Sequence, residues 1–487
     1  MADTPSQSPI RFPAAGTLLE GGGLKKTMML FGPGAIMASV TIGSGETVFA
    51  SRGGAVFGYA ILWAFVLGIV MKGVANYSAT RYLTLTGEHP IDRWAHFPGP
   101  RGWFPFLIGA LSIACFPFWL SFLPSLLGTL CNWIFGFGDH RVWGTVFTVV
   151  VVTITLMGGY DVLEKAQQAI IGVLLASVLF SVFYFQPDWG AVLKGSLIPG
   201  IPEYEGWVTE KYPEVASRPV WIEVVVYIGA IGGGTYDSIG YVGLFREKSW
   251  GILAHQKFEE IQDRLYRLTQ KGKRIPLARD EENVRRGLAW LKAPRTDALI
   301  SFGAVLIFSA GFMIGGARVL YPDQLIPSGL TLLEHQAQFL TEIRAWLFPV
   351  YAAGVFFAVF GTLYAAYEVY TRTAYECLRT VFHSLREVPM QSVRLWVVGY
   401  GAVGGLTLMW LPVLFPNITL IDLPTPAGIV GGVLTLGLWA LAMVWTDRTF
   451  LPEEYQMGPV LLWLTGISGV AMTLMGLRAW WDYGTDT

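Results

Sequence analysis

Four ionisable residues stand inside apolar runs where a membrane span would not carry a charge without a use for it: Glu46, Arg52, Lys72 and Asp237. Inside a bilayer such groups pair with one another, line an ion path or hold a ligand. Two of them adjoin glycine-rich interruptions, Gly43-Ser44-Gly45-Glu46 and Gly232-Gly233-Gly234-Thr235, the second followed by Asp237. A helix broken in lipid leaves backbone groups without partners, which is tolerated only where they face a cavity or a ligand. The chemistry expected of this set is therefore ion binding. Two breaks in corresponding parts of two halves point to a secondary transporter built from inverted repeats, its site lying between them. Each residue also has a plainer reading. Arg52 can end its helix and snorkel to an interface, and Lys72 can line a polar groove. Glu46 can pair with a buried cation and Asp237 can cap a half-helix. The glycines can serve close helix packing.

The elements that must position these residues are membrane helices. Apolar residues make up 53% of the 487-residue chain and charged residues 14%, against roughly 25% charged in soluble domains, and mean hydropathy is +0.48. A net charge of -1 gives no electrostatic argument for nucleic acid. Cys115, Cys131 and Cys377 lack metal-ligand spacing and read as packing residues. Runs long enough to span the bilayer predict an all-α polytopic protein of about eleven helices, near 28–52, 57–80, 104–134, 142–158, 163–186, 219–244, 297–320, 345–372, 392–415, 425–446 and 456–481. Residues 1–27 form a cytoplasmic N-terminal segment without a cleavable signal, so the first span targets the chain. Spans 1–5 (28–186) and 6–10 (219–446) form two repeats, 187–218 is an extracellular loop, and 456–481 is an eleventh helix. The segment 245–296 is an amphipathic cytoplasmic insertion carrying about a dozen Lys and Arg. The positive-inside rule places the N-terminus in the cytoplasm and the C-terminus outside.

The run Ile42-Gly43-Ser44-Gly45-Glu46, then Gly58-Tyr59-Ala60-Ile61-Leu62-Trp63, resembles the first two helices of the NRAMP (natural resistance-associated macrophage protein) metal transporters. Thr86-Gly87, Gln186 to Leu193, Asp280-Glu281-Glu282 to Arg286, Arg295-Thr296-Asp297 and Thr446-Asp447-Arg448 resemble later parts of that family in the same order. The resemblance implies a LeuT-like inverted repeat with unwound helices 1 and 6 and alternating access around a midplane site. It also implies what is missing. The family holds a transition metal with Asp-Pro-Gly-Asn in helix 1 and Met-Pro-His in helix 6. Here Gly43 stands for the metal-binding Asp, Glu46 for the Asn and Gly233 for the Met. A soft sulfur ligand suits transition metals, so manganese or iron is not expected, and no resident metal or other cofactor is expected. Helix 3, from Phe104 to Trp133, contains no titrating group for the family's proton route, and none of the six histidines falls mid-span.

Two substrates fit what remains. A small inorganic anion such as bicarbonate fits backbone N–H groups at Gly43, Gly45, Gly232, Gly233 and Gly234, hydroxyls at Ser44, Thr47, Thr235 and Ser238, and half-helix dipoles. Glu46, Arg52, Lys72 and Asp237 then form a charge network or bind a coupling Na+ or H+. The alternative is a hard divalent cation such as magnesium, held through Glu46 and Asp237 with waters retained, or residual divalent-metal transport. The anion is preferred because the family's metal-binding aspartate is the residue that is gone. A non-transporting NRAMP-like sensor is a reading of another class; an enzyme is not expected, since no nucleophile–base constellation converges in the spans. The expected setting is the plasma (inner) membrane of a prokaryote, with the lipid bilayer and a small ion as partners, no nucleic acid, and a monomer as the working unit.

Overall fold

Glycine placement, more than apolar patterning, decides where these helices cross. The structure, a computed structural model, describes residues 8–15, 19, 23–157, 160–328 and 331–486. Eight helical stretches are long and apolar enough to cross a membrane. Three further spans, α1, α5 and α6, bring the described total to eleven, and the chain is a multi-pass membrane protein. α1 runs through Pro33–Thr41, Ile42–Phe49 and Ala50–Phe57. α2 is Leu62–Thr86, and α3 is Trp103–Ala114 continued by Phe116–Phe135. α4 is His140–Met157 and α5 Tyr160–Phe185. α6 is split into Val220–Ala230 and Thr235–Leu244. α7 is Lys292–Gly315, α8 Phe348–Val381 and α9 Met390–Trp410. α10 runs from Thr425–Ile429 through Val430–Leu434 to Thr435–Phe450, and α11 is Pro459–Asp486.

The expectation that helix 1 unwinds is corrected. Ile42–Phe49 is a π-helical turn, so α1 widens without opening. A π turn keeps one backbone hydrogen bond per residue while absorbing an extra residue, and such turns gather at functional sites. α6 does open: Gly232 and Gly233 have φ of 67° and 72°, a left-handed backbone that glycine adopts without strain. α10 carries a second π turn, Val430–Leu434, which sequence inspection did not anticipate.

The start of α1 is fixed from α7. Asp297 Oδ1 accepts from the backbone N–H of Gly32 (2.9 Å) and Gly34 (3.0 Å), and Tyr241 donates to Asp297 Oδ2 at 2.7 Å. A carboxylate thus satisfies the orphan donors of a helix N-terminus from a neighbouring span. α6 meets α10 through Gly229, Gly428 and Gly432. A Cβ on Gly432 would lie 2.1 Å from the Gly229 carbonyl oxygen, and one on Gly229 would lie 2.3 Å from that of Gly428. Small residues four apart allow such backbone approach in membranes. The insertion is helical, as expected, over Phe258–Gln270 and Glu281–Trp290.

Candidate functional site

Lys72 enters from α2 and ends in the break of α6. Its Nζ donates to the carbonyl oxygens of Gly229 (3.1 Å), Ile231 (2.5 Å) and Gly233 (2.7 Å). An ammonium has three N–H donors, and each meets one carbonyl that the broken helix would otherwise leave orphaned. The last carbonyls of a half-helix also carry the negative end of its dipole. The side chain is fully buried. Its Cδ lies 3.3 Å from where a Cβ on Gly232 would stand, so that glycine serves both the left-handed backbone and the passage of the lysine.

The opposite side of the break is met by carboxylates. Glu46 Oε1, from the π turn of α1, accepts from Gly232 N at 2.8 Å. Asp237 Oδ2 accepts from Gly234 N at 2.9 Å, reaching back to the residue that starts the second half of α6. Both carboxylates interact electrostatically with Lys72. Three of the four expected charges thus converge on one break.

These contacts correct the expectation of free backbone donors. Gly232 and Gly234 give their N–H groups to Glu46 and Asp237, and Gly43 gives its own to Thr362 Oγ1 of α8 at 3.1 Å. A carboxylate that lies beside a glycine break takes its N–H, because a buried unpaired donor costs about 1–3 kcal/mol. Gly45 serves contact: a Cβ there would stand 2.0 Å from the Ala230 carbonyl oxygen, so α1 and α6 touch backbone to backbone. At Gly233 an added Cβ would lie 2.7 Å from the terminal methyl of Met37, a thioether supplied by α1.

The other expected site residues scatter. Thr235 shares a hydrogen bond of 2.7 Å with Thr435 of α10 and receives one of 3.0 Å from Ser112 of α3. The Thr47 carbonyl accepts from the side chain of Gln336, on the helix Leu332–Thr341. The Ser44 side chain lies outside the described residues. Arg52 belongs elsewhere: Nη1 donates to the Pro327 carbonyl at 2.9 Å, and Nε lies 3.9 Å from Glu223. Arg218 bridges Glu223 (3.0 Å) and Asp422 (2.5 Å), joining the starts of α6 and α10. Glu223 was visible in sequence as an acid within the run Val220–Ala230, yet nothing in its neighbours named Arg218 or Asp422 as partners.

Beside the break is a cavity of about 10 Å³, room for about one water, lined by residues that include Thr41, Trp119, Gly233, Tyr236 and Asp237. Trp119 Nε1 and the Tyr236 hydroxyl are buried there facing one another, with no other hydrogen-bond partner, and Glu46 Oε2 is buried nearby without one. Trp119 and Tyr236 escaped the sequence reading because aromatic residues fill most spans. Among the described residues no group of three or more His, Cys, Asp or Glu could hold a metal ion.

The comparisons with known proteins fall on this same region. A family model described as "Natural resistance-associated macrophage protein-like" matches residues 34–232, from the start of α1 to the break of α6. This stretch is similar to that family. A divalent metal cation transporter, MntH, of Brucella suis is 26% identical over 248 residues, 50% of this chain and 50% of that protein. The chain spans about half the length or less of the curated relatives it matches. The fold extends further. A manganese transporter of Eremococcus coleocola, solved as a point mutant, superposes with a TM-score of 0.65 at 15% identity, covering 94% of this chain and 88% of that one. MhsT in complex with L-phenylalanine superposes at a TM-score of 0.50 and 16% identity, covering 92% and 97%. The chain has the LeuT-like fold of the Nramp transporters.

Proposed function

We propose that this chain is an Nramp-related secondary transporter, and not an enzyme, working by alternating access of two inverted repeats, 28–186 and 219–446, around the α1–α6 site. The cargo is a small inorganic anion of the bicarbonate class. The observation that carries this reading is the Lys72 ammonium on the carbonyls of Gly229, Ile231 and Gly233. Those oxygens are what a cation at the break would use, and a fixed positive charge repels a second one. The groups facing the cavity include an indole N–H and a phenol O–H that meet only one another, and a planar oxyanion accepts from both in place of that contact. Glu46 and Asp237 together carry one negative charge more than Lys72 balances, and a coupling H+ or Na+ taken up there neutralises the excess before the anion binds. The N-terminus and the 245–296 insertion lie in the cytoplasm, and a monomer is the working unit in the plasma membrane.

A second reading, a hard divalent cation, is favoured by the free Oε2 of Glu46 beside Asp237 and by the divalent metals after which the MntH and manganese-transporter relatives are named. Flux in proteoliposomes separates the two. Labelled bicarbonate should enter faster than in empty liposomes while manganese and magnesium stay at background; metal flux without bicarbonate flux overturns the anion.

Glu46→Gln keeps the carbonyl oxygen that accepts from Gly232 N and removes the charge. The expected variant has a near-native unfolding temperature and substrate flux that no longer responds to an imposed proton or sodium gradient. Full coupling in the variant would reduce Glu46 to a structural acceptor.

A further inference from the structure

A second cavity, of about 440 Å³, opens far from the α6 break. Its walls are the insertion helix Phe258–Gln270, the turn after α2 from Gly87 to His96, and the end of α8. Volumes of about 300–1,000 Å³ are those of small-molecule sites. Four arginines line it: Arg101, Arg246, Arg379 and Arg386.

The charges around it do not balance. Arg246 lies 3.1 Å from Glu376 and 3.9 Å from Asp92, and Arg379 lies 4.0 Å from Glu376. Glu88 is held by Arg93 at 2.8 Å and by Thr269 at 2.5 Å. Arg101 donates to the side-chain and backbone oxygens of Gln270, at 3.1 and 3.3 Å. Arg386 stacks on the Tyr266 ring, 3.2 Å from its centroid, and no carboxylate pairs with it among the described residues. Five arginines, Arg93 included, face the three carboxylates Glu88, Asp92 and Glu376, which leaves two positive charges over. Burial holds the Arg386 guanidinium below the ordinary arginine value, Tyr266 and Asp92 oppose this, and Arg379 and Arg246 add to it. Arg246, Arg379 and Arg386 are half-buried, with Arg101 exposed at the mouth, and partly desolvated cations in such excess are stabilised by an anion.

We propose that this cleft binds a phosphate monoester larger than inorganic phosphate, gripped by Arg101, Arg379 and Arg386. A monoester carries about -1.5 to -2 charges near neutral pH, which matches the excess, and guanidinium groups recognise phosphate oxygens in bidentate pairs. A bound phosphate would tie the insertion to the ends of α2 and α8, so occupancy controls how freely the insertion moves against the bundle. The monoester is either a dissolved metabolite or the headgroup of a lipid such as phosphatidic acid.

The test uses the full chain in phosphatidylcholine nanodiscs, titrated with AMP, with adenosine as control, and separately with phosphatidic acid included in the disc. Saturable AMP binding and a raised unfolding temperature are expected, with no effect of adenosine. In Arg386→Ala the affinity should fall about tenfold, the loss of one charge-assisted hydrogen bond, with Arg386→Lys in between. Stabilisation by phosphatidic acid alone that is lost in Arg386→Ala upholds the site and assigns the phosphate to lipid. Equal binding of adenosine, equal affinity in Arg386→Ala, or no Arg386-dependent effect of either phosphate source overturns it.

Discussion

Lys72→Met should abolish transport and lower stability by about 3–5 kcal/mol, the cost of removing one partner from a buried charged cluster. The methionine fills similar volume but donates nothing. The carbonyls of Gly229, Ile231 and Gly233 then lose their shared donor in a site that no bulk water reaches. Glu46 and Asp237 also lose the positive charge between them. The result separates the two substrate readings as well. If the ammonium stands where a cation would bind, Lys72→Met exposes a three-carbonyl, two-carboxylate site that is oxygen-only and suited to a hard divalent ion. Weak magnesium binding gained as anion transport is lost, read by calorimetry on the purified variant, is therefore expected. Wild-type bicarbonate flux in this variant would remove Lys72 from the mechanism.

The second large effect comes from a single methyl group. In Gly45→Ala the new Cβ would sit 2.0 Å from the oxygen and 2.6 Å from the carbon of the Ala230 carbonyl. Neither atom belongs to a flexible side chain, so relief requires α1 and α6 to separate. Overpacking of this kind costs about 1–3 kcal/mol, and here the displaced backbone also carries Glu46, whose hydrogen bond to Gly232 N depends on the close approach. Transport should fall at least tenfold, about 1.4 kcal/mol when expressed as a barrier. Gly303→Ala in α7 is the control: nothing lies within 4 Å of its added Cβ. That variant should match the original protein in flux and be no less stable, since alanine in an open helix interior adds up to about 1 kcal/mol. Equal tolerance of both substitutions would mean that α1 and α6 do not meet at Gly45.

How far the sequence carried these conclusions depended on whether the cause was local. Three consecutive glycines in an apolar run can hardly stay helical, and α6 opens at Gly232 and Gly233 as expected. Gly43-Ser44-Gly45 contains the same residue type but is not a break. Packing against Ala230 and Thr362 asks only for small side chains, and the helix keeps its bonds by winding into a π turn. Charge inside apolar runs was a sound signal for Glu46, Lys72 and Asp237, which meet. The same signal misplaced Arg52, because which end of α6 it reaches depends on how α1 lies across the bundle, and that is set by contacts far apart in sequence. The anion nest failed for a related reason. Donors were counted at each glycine, while the acceptors that claim them come from Glu46, Asp237 and Thr362, whose approach is tertiary. Trp119 and Tyr236 were hidden among many aromatic residues, and only burial with no partner but one another marks them.

The most direct test is a structure of the protein in lipid with bicarbonate present. Bicarbonate is larger than the single water that the space beside Gly233 holds, so density is expected there in a widened cavity, within hydrogen-bond distance of Trp119 Nε1 and the Tyr236 hydroxyl, with Lys72 still on its three carbonyls. A metal ion between Glu46 and Asp237, with Lys72 swung away from the α6 break, would contradict the account.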